Sequence, residues 1–181
     1  MPLGASRLNF LAKTQEVAVE QRTAKTITAY GDIQLDTAES KFGGSSMLSD
    51  TSGDFLDVSP SIPASGDFTV EYWYYAKQST VNRAQWGQGD GQTANDISCW
   101  ALPNRTGITV RIGSNASKEM EIVASITFTA DTWYHIALVR DGSTFELFID
   151  GTSYGTDTSS TTINQDEFRI RANGYTPTQS Y

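Results

Sequence analysis

Residues 131–151, DTWYHIALVRDGSTFELFIDG, place two alternating runs and two Asp-Gly steps within twenty-one positions, and no other stretch limits the fold as strongly. Trp133, His135, Ala137 and Val139 fall on one side of an extended run, and Tyr134, Ile136, Leu138 and Arg140 on the other, because successive side chains of a strand point to opposite faces. After Asp141-Gly142-Ser143-Thr144, Phe145, Leu147 and Ile149 alternate with Glu146, Phe148 and Asp150, and Asp150-Gly151 supplies a second reversal. Glycine takes positive φ there without a steric penalty. The pattern predicts a β-hairpin that is apolar on both faces. Such a hairpin has to be covered on both sides, so the chain reads as layered antiparallel sheets, a β-sandwich.

The rest of the chain agrees with this reading. Strands are predicted at 25–30, 45–48, 54–58, 67–76, 83–87, 97–102, 107–112, 119–124, 133–140, 144–150 and 167–171, with turns rich in Gly, Asp, Asn and Ser between them. The Ser/Thr-rich stretch 151–162 reads as a long connection rather than a strand. At 181 residues the chain suits one domain with an arm. No apolar run approaches the ~20 residues of a membrane helix, so membrane insertion is not expected. A net charge of −8 disfavours a nucleic-acid partner, because phosphate backbones are repelled. The lone cysteine, Cys99, has no partner for an internal disulfide and reads as a small strand residue beside Trp100.

Three ordered motifs carry a family likeness. The string Trp133-Tyr134-His135-Ile136-Ala137-Leu138-Val139-Arg140-Asp141-Gly142, followed by Phe145 to Gly151, resembles the signature hairpin of laminin-G-like, concanavalin-A-like jelly rolls. Lys41-Phe42-Gly43-Gly44-Ser45-Ser46 leading to Gly53-Asp54-Phe55-Leu56 resembles that family's opening element, and Asp67-Phe68-Thr69-Val70-Glu71-Tyr72-Trp73 resembles a later strand. The resemblance implies an all-β fold: a two-sheet antiparallel jelly-roll sandwich of the concanavalin-A-like type. It also assigns Trp73 and Trp133 to core positions. His135, the only histidine, falls inside the signature hairpin and reads as a packing residue.

Two ends stand apart from this body. Residues 1–29 carry four basic side chains against two acidic ones, net +2, whereas the remainder carries nine against nineteen, net −10. Residues 1–24 therefore read as an N-terminal arm preceding a domain at 25–181. The arm is either a loose tail or edge strand, or an anchor that docks on a neighbouring subunit through Arg7, Leu8, Phe10 and Leu11. Within it, Val17 and Val19 suggest a short strand. At the other end, relatives continue beyond a strand such as Phe168-Arg169-Ile170-Arg171 into a further strand, so the domain reads as stopping short of its last strand. Either the chain is a fragment, or the arm or another subunit fills an unpaired edge by strand addition.

The chemistry on view favours binding over catalysis. Glycoside hydrolysis needs two carboxylates facing each other across a sugar; Glu119 with Glu121, and Asp166 with Glu167, are the nearest pairs and read as solvated surface charge. No Cys/His cluster suits zinc. Trp86 and Trp100 flank the loop 87–96, where Asp90, Asn95 and Asp96 offer hard oxygen ligands, and Tyr175 is a further aromatic. These six residues are the candidate binding set, and calcium is the one cofactor that such oxygens would suit. The N-terminus shows no secretory pattern. Jelly rolls of this kind work outside cells, and assembly into a virion in the host cytoplasm reconciles the two facts. The expectation is a non-enzymatic virion protein, such as a bacteriophage capsid decoration, tail or fibre component, whose partners are other virion subunits, copies of itself in a homo-oligomer, and a host-surface glycan. The alternative is a carbohydrate-binding or adhesion module of a bacterial surface protein, extracellular or on the cell surface.

Overall fold

A computed structural model describes residues 24–49, 53–89, 93–114 and 116–171 of the chain. Arg7, Leu8, Phe10 and Leu11 of the expected arm, with Asp90 and Tyr175, lie outside the described residues. Thirteen strands form: β1 (Thr26–Tyr30), β2 (Gln34–Asp36), β3 (Ser46–Leu48), β4 (Phe55–Ser59), β5 (Phe68–Tyr75), β6 (Arg83–Gln88), β7 (Ile97–Ala101), β8 (Gly107–Gly113), β9 (Lys118–Ser125), β10 (Trp133–Asp141), β11 (Thr144–Ile149), β12 (Thr152–Thr158) and β13 (Phe168–Ile170). They assemble into a seven-stranded sheet in the order β1-β4-β13-β6-β7-β8-β9, a four-stranded sheet β12-β11-β10-β5, and a two-stranded β2-β3. All pairings are antiparallel. This is the sandwich expected from the hairpin, of the jelly-roll kind that the resemblance implies.

The alternation read from the sequence sets the layers. Ile136 and Leu138 of β10 and Phe145, Leu147 and Ile149 of β11 are buried against Ile97 and Cys99 of β7, Ile108, Val110 and Ile112 of β8, and Met120 and Ile122 of β9. Arg140 ends the same inward row and is buried too. Its Nε donates to the Gly142 carbonyl at 3.0 Å and its guanidinium lies over the Phe145 ring, 5.1 Å from the centroid. A buried charge needs such partners to offset lost hydration.

The opposite face of β10 corrects the sequence reading. Trp133 and His135 are half-buried on the outer surface of the four-stranded sheet, and Trp73 beside them is 37% exposed. Trp73 and Trp133 are therefore not core residues. No further layer covers this face among the described residues, and the apolar side chains there cover one another instead.

One more correction concerns a strand. The stretch read as a connection at 151–162 contains β12, because Asp150 (φ 49°) and Gly151 (φ 75°) form a two-residue reversal that feeds straight back along β11. Two consecutive positive φ values match the right-handed twist of a hairpin. β12 is pinned across the sandwich by the Asp157 carboxylate, which accepts the Glu121 backbone N–H of β9 at 2.8 Å. The strand expected at 167–171 is present as β13, which lies between β4 and β6 and keeps the seven-stranded sheet continuous. Among the described residues the four-stranded sheet ends at β12 and β5.

Cys99 is buried beneath Tyr72, whose hydroxyl lies 3.5 Å from the Cys99 sulfur. Burial pushes the Cys99 thiol up to about 12 and, with the neighbouring thiol, raises the Tyr72 phenol well above its ordinary value. A thiol held protonated in the fold binds its proton more tightly there than in the unfolded chain. Its contribution to stability is thus level below the ordinary thiol value near 9 and falls as the pH rises toward about 12, by about 1.4 kcal/mol per pH unit. We expect Cys99 to ignore a water-soluble thiol reagent at pH 8 in the native protein and to react fully in denaturant. Rapid native labelling would show that the strand is not buried as described.

Candidate functional site

The described residues of the loop expected to bind a ligand are tied by internal bonds. Asp96 is buried, and its carboxylate accepts the Thr93 N–H at 3.0 Å and the Asn164 side-chain amide at 3.1 Å. The exposed Asn95 gives its carbonyl to the Asn164 N–H at 3.0 Å. Gln88, fully buried, accepts from the Ile62 N–H at 2.9 Å and donates to the Ile62 carbonyl at 3.1 Å. These bonds tie three loops together and leave the Asp96 carboxylate committed to protein donors. Among the described residues no group of three or more His, Cys, Asp or Glu side chains could hold a metal ion.

Trp86 and Trp100, expected to flank one site, are not brought together. Trp86 is 2% exposed and stacks inward on Phe168, with centroids 5.7 Å apart. Trp100 alternates with the inward-facing Cys99 and Ala101 and so lies on the opposite face of the seven-stranded sheet. The carboxylate pairs behave as surface charge: Glu121 bonds the Lys118 ammonium at 2.6 Å, and Glu167 lies 4.0 Å from Arg169.

The chemistry the sequence reading missed is on the outer face of β5 and β10. Antiparallel register sets Tyr75 opposite Trp133, Trp73 opposite His135, and Glu71 opposite Ala137. The ring pairs follow from that register: Tyr75 and Trp133 have centroids 4.9 Å apart, Trp73 and His135 5.2 Å. Such cross-strand aromatic pairs stabilise a sheet while leaving their outer surfaces free. Phe42, 66% exposed, meets Trp73 edge-on at 5.5 Å. Lys41 holds its ammonium 4.3 Å from the Trp73 centroid, and Lys77 sits 5.0 Å from that of Tyr75. The Glu71 carboxylate lies 3.2 Å from His135 Nε2, and Asp150 accepts the His135 backbone N–H at 2.8 Å, which fixes the strand beneath the ring. Partial burial, followed by the hydrogen bond to Glu39 and the charges of Glu39 and Asp131, raises the Tyr75 phenol to about 12, and its hydroxyl is engaged by Glu39. The arrangement is a strip of flat rings edged by two lysines and a carboxylate. It can stack on an apolar face and hydrogen-bond around the rim. Its signal was present in the sequence as the odd-numbered aromatic positions of both strands.

A family model for the concanavalin A-like lectin/glucanases superfamily matches residues 50–180. The chain belongs to that superfamily. No curated protein sequence matches the chain. Solved structures with the same fold include the botulinum neurotoxin type C protein described for its interaction with two ganglioside molecules. The two share 12% identity at a TM-score of 0.60, and the match covers 81% of this chain and 37% of that one. The CBM40 of the Ruminococcus gnavus IT-sialidase bound to α2,3 sialyllactose shares 15% identity at a TM-score of 0.52 over 65% of this chain and 69% of that one. The carbohydrate-binding module CBM66 of Bacillus subtilis shares 16% identity at a TM-score of 0.51 over 80% of this chain and 87% of that one. These identities show the fold that this superfamily member shares with them.

The loop knot yields a test. A Cβ placed on Gly89, whose φ is +89°, would lie 1.9 Å from the Asp96 carboxylate oxygen. Gly89→Ala should therefore destabilise the domain by about 1–3 kcal/mol in denaturant unfolding. A neutral result would show that the Asp96 anchor is dispensable.

Proposed function

We propose that this chain is a non-enzymatic glycan-recognition module, displayed on a virus particle as a capsid decoration, tail or fibre component. The recognition part rests on one observation, the open strip formed by Trp73, His135, Tyr75 and Trp133 with Phe42, Lys41 and Lys77 at its margin. The apolar C–H face of a sugar packs on a flat ring, and surrounding charged and hydroxyl groups then select among sugars through directional bonds. Lys41 and Lys77 at the rim, the latter 3.9 Å from Glu39 and 3.7 Å from Asp131, and the Glu71 carboxylate supply both donors and acceptors for sugar hydroxyls. Support also comes from fold neighbours that are carbohydrate-binding modules or ganglioside-interacting proteins.

The virion setting is supported by a basic arm on an acidic body. In that setting Arg7, Leu8, Phe10 and Leu11 would anchor copies of the chain to other virion subunits, arraying the binding strips as a homo-oligomer. The near-complete mutual coverage with the Bacillus subtilis module favours a second setting, an adhesion module of a bacterial surface protein.

Each part has its own test. Trp73→Ala should lower the melting temperature only modestly, because the ring is on an outer face and its loss costs the pair with His135 and not core packing, and should weaken binding to a glycan identified on an array by at least about tenfold, or about 1.4 kcal/mol. Equal binding by the variant would remove the strip from the site. Replacing Arg7, Leu8, Phe10 and Leu11 together by alanine should prevent incorporation into the parent particle while preserving glycan binding. Normal occupancy would disprove the anchoring role.

A further inference from the structure

The two main sheets do not match in width. Tyr72 of β5 meets Cys99 of β7, and Asp157 of β12 meets β9, so the four-stranded sheet spans the β7–β9 side of its seven-stranded partner. The inward surfaces of β6, β13 and β4 continue beyond it for three strand widths, about 14 Å. Over them, among the described residues, lies a cleft of about 750 Å³, the size of a small-molecule site. Trp86 and Phe168, both buried, and Leu56 and Ile170, half-buried, line it on the side of the seven-stranded sheet. Met47 of β3 and Val70 of β5 add to the apolar lining.

The same cavity reaches the strip of rings. Tyr72 and Tyr74, which pack on the core, line it together with Trp73, Tyr75 and Trp133 of the outer face. Successive residues of a strand point to opposite faces, so a space that touches both sets passes round β5. The charged groups of the lining are engaged with the protein itself. Glu39 lies 3.9 Å from Lys77 and accepts from the Tyr75 hydroxyl, Glu71 lies 3.2 Å from His135, and Asp36 accepts the Ala38 N–H at 2.8 Å. Arg83 donates to the Ser79 hydroxyl at 2.9 Å, and Arg171 to the Ser49 carbonyl at 3.0 Å. Three carboxylates stand against three cations in this lining, so the recess selects neither sign of charge. What fits it is an uncharged apolar group.

We propose that the ligand is a single-chain glycolipid, whose sugar lies on Trp73, Tyr75 and Trp133 and whose alkyl chain passes round β5 to cover Leu56 and Ile170. This assignment rests on the glycan-binding reading above and adds the aglycone to it. Flat rings take the apolar face of the sugar. The chain displaces water from half-buried apolar side chains, and each methylene fully buried there raises affinity about fourfold. A sugar without a chain leaves that surface wet.

Calorimetry on the full-length protein tests it, with matched methyl and n-octyl glycosides of glucose, galactose, mannose and N-acetylglucosamine, each kept below its micelle-forming concentration. For the preferred sugar the octyl member should bind at least about thirtyfold more tightly than the methyl member, the gain expected from about three buried methylenes. Ile170→Asp on the floor and, separately, Met47→Glu on the β3 wall should each reduce that ratio at least about tenfold, because a charge in the recess resists burial under the chain. Trp73→Ala should weaken both members and keep the ratio. A ratio near one, or no binding by any octyl glycoside, would overturn the proposal, as would a ratio that both cleft variants leave unchanged. Equal octyl binding for all four sugars would overturn it by showing a chain held without the strip. If Trp73→Ala weakens neither member, the glycan-binding reading itself fails, so the two failures are distinguishable.

Discussion

The structure depends on the inward stripes of β10 and β11 meeting those of β7, β8 and β9. Leu138, Leu147 and Phe145 are fully or almost fully buried, as are Ile108, Val110 and Ile112 across from them. Burying a side chain of this size stabilises by about 1.5–3 kcal/mol, against a typical margin of only 5–15 kcal/mol for a whole domain. A handful of these residues thus decides whether the sandwich exists. The outer face of the same hairpin is free to carry something else.

That division explains what could be read from the chain before its shape was known. The inward pattern Ile136, Leu138, Phe145, Leu147, Ile149 is apolar at every position, and strict alternation gave strands, faces and register together. The outward pattern is also apolar, and periodicity alone does not say whether Trp133 is covered by a layer or by its neighbours. The distinction is set by sheet width, a property of the whole assembly. β12 was missed for a related reason: Thr152 to Thr158 has no buried apolar stripe, and its strand state follows from the turn at Asp150-Gly151. The turn was visible, but its consequence for the next seven residues was not drawn from composition.

The candidate site was legible only in its residue types. The outer strip of β5 and β10 is aromatic, the residue type expected of a binding site, yet Trp86 and Trp100, which a Gly-rich loop joins, are not part of it. Asp96 and Gln88 show why the loop is polar: buried backbone groups of three converging segments need partners. Trp73 and His135 are sixty-two positions apart in sequence, and only the antiparallel pairing of β5 with β10 makes them neighbours.

The bond from Asp157 to the Glu121 amide fastens one flank of the molecule at 2.8 Å, whereas at β5 the described tie across the sandwich is the longer contact of the Tyr72 hydroxyl with the Cys99 sulfur at 3.5 Å. A body fastened unequally parts first where its fastening is weaker. Growth of this architecture, whether by a graft, an acquired segment or a bound companion, is therefore channelled to the β5 flank, while the flank at β12 resists change.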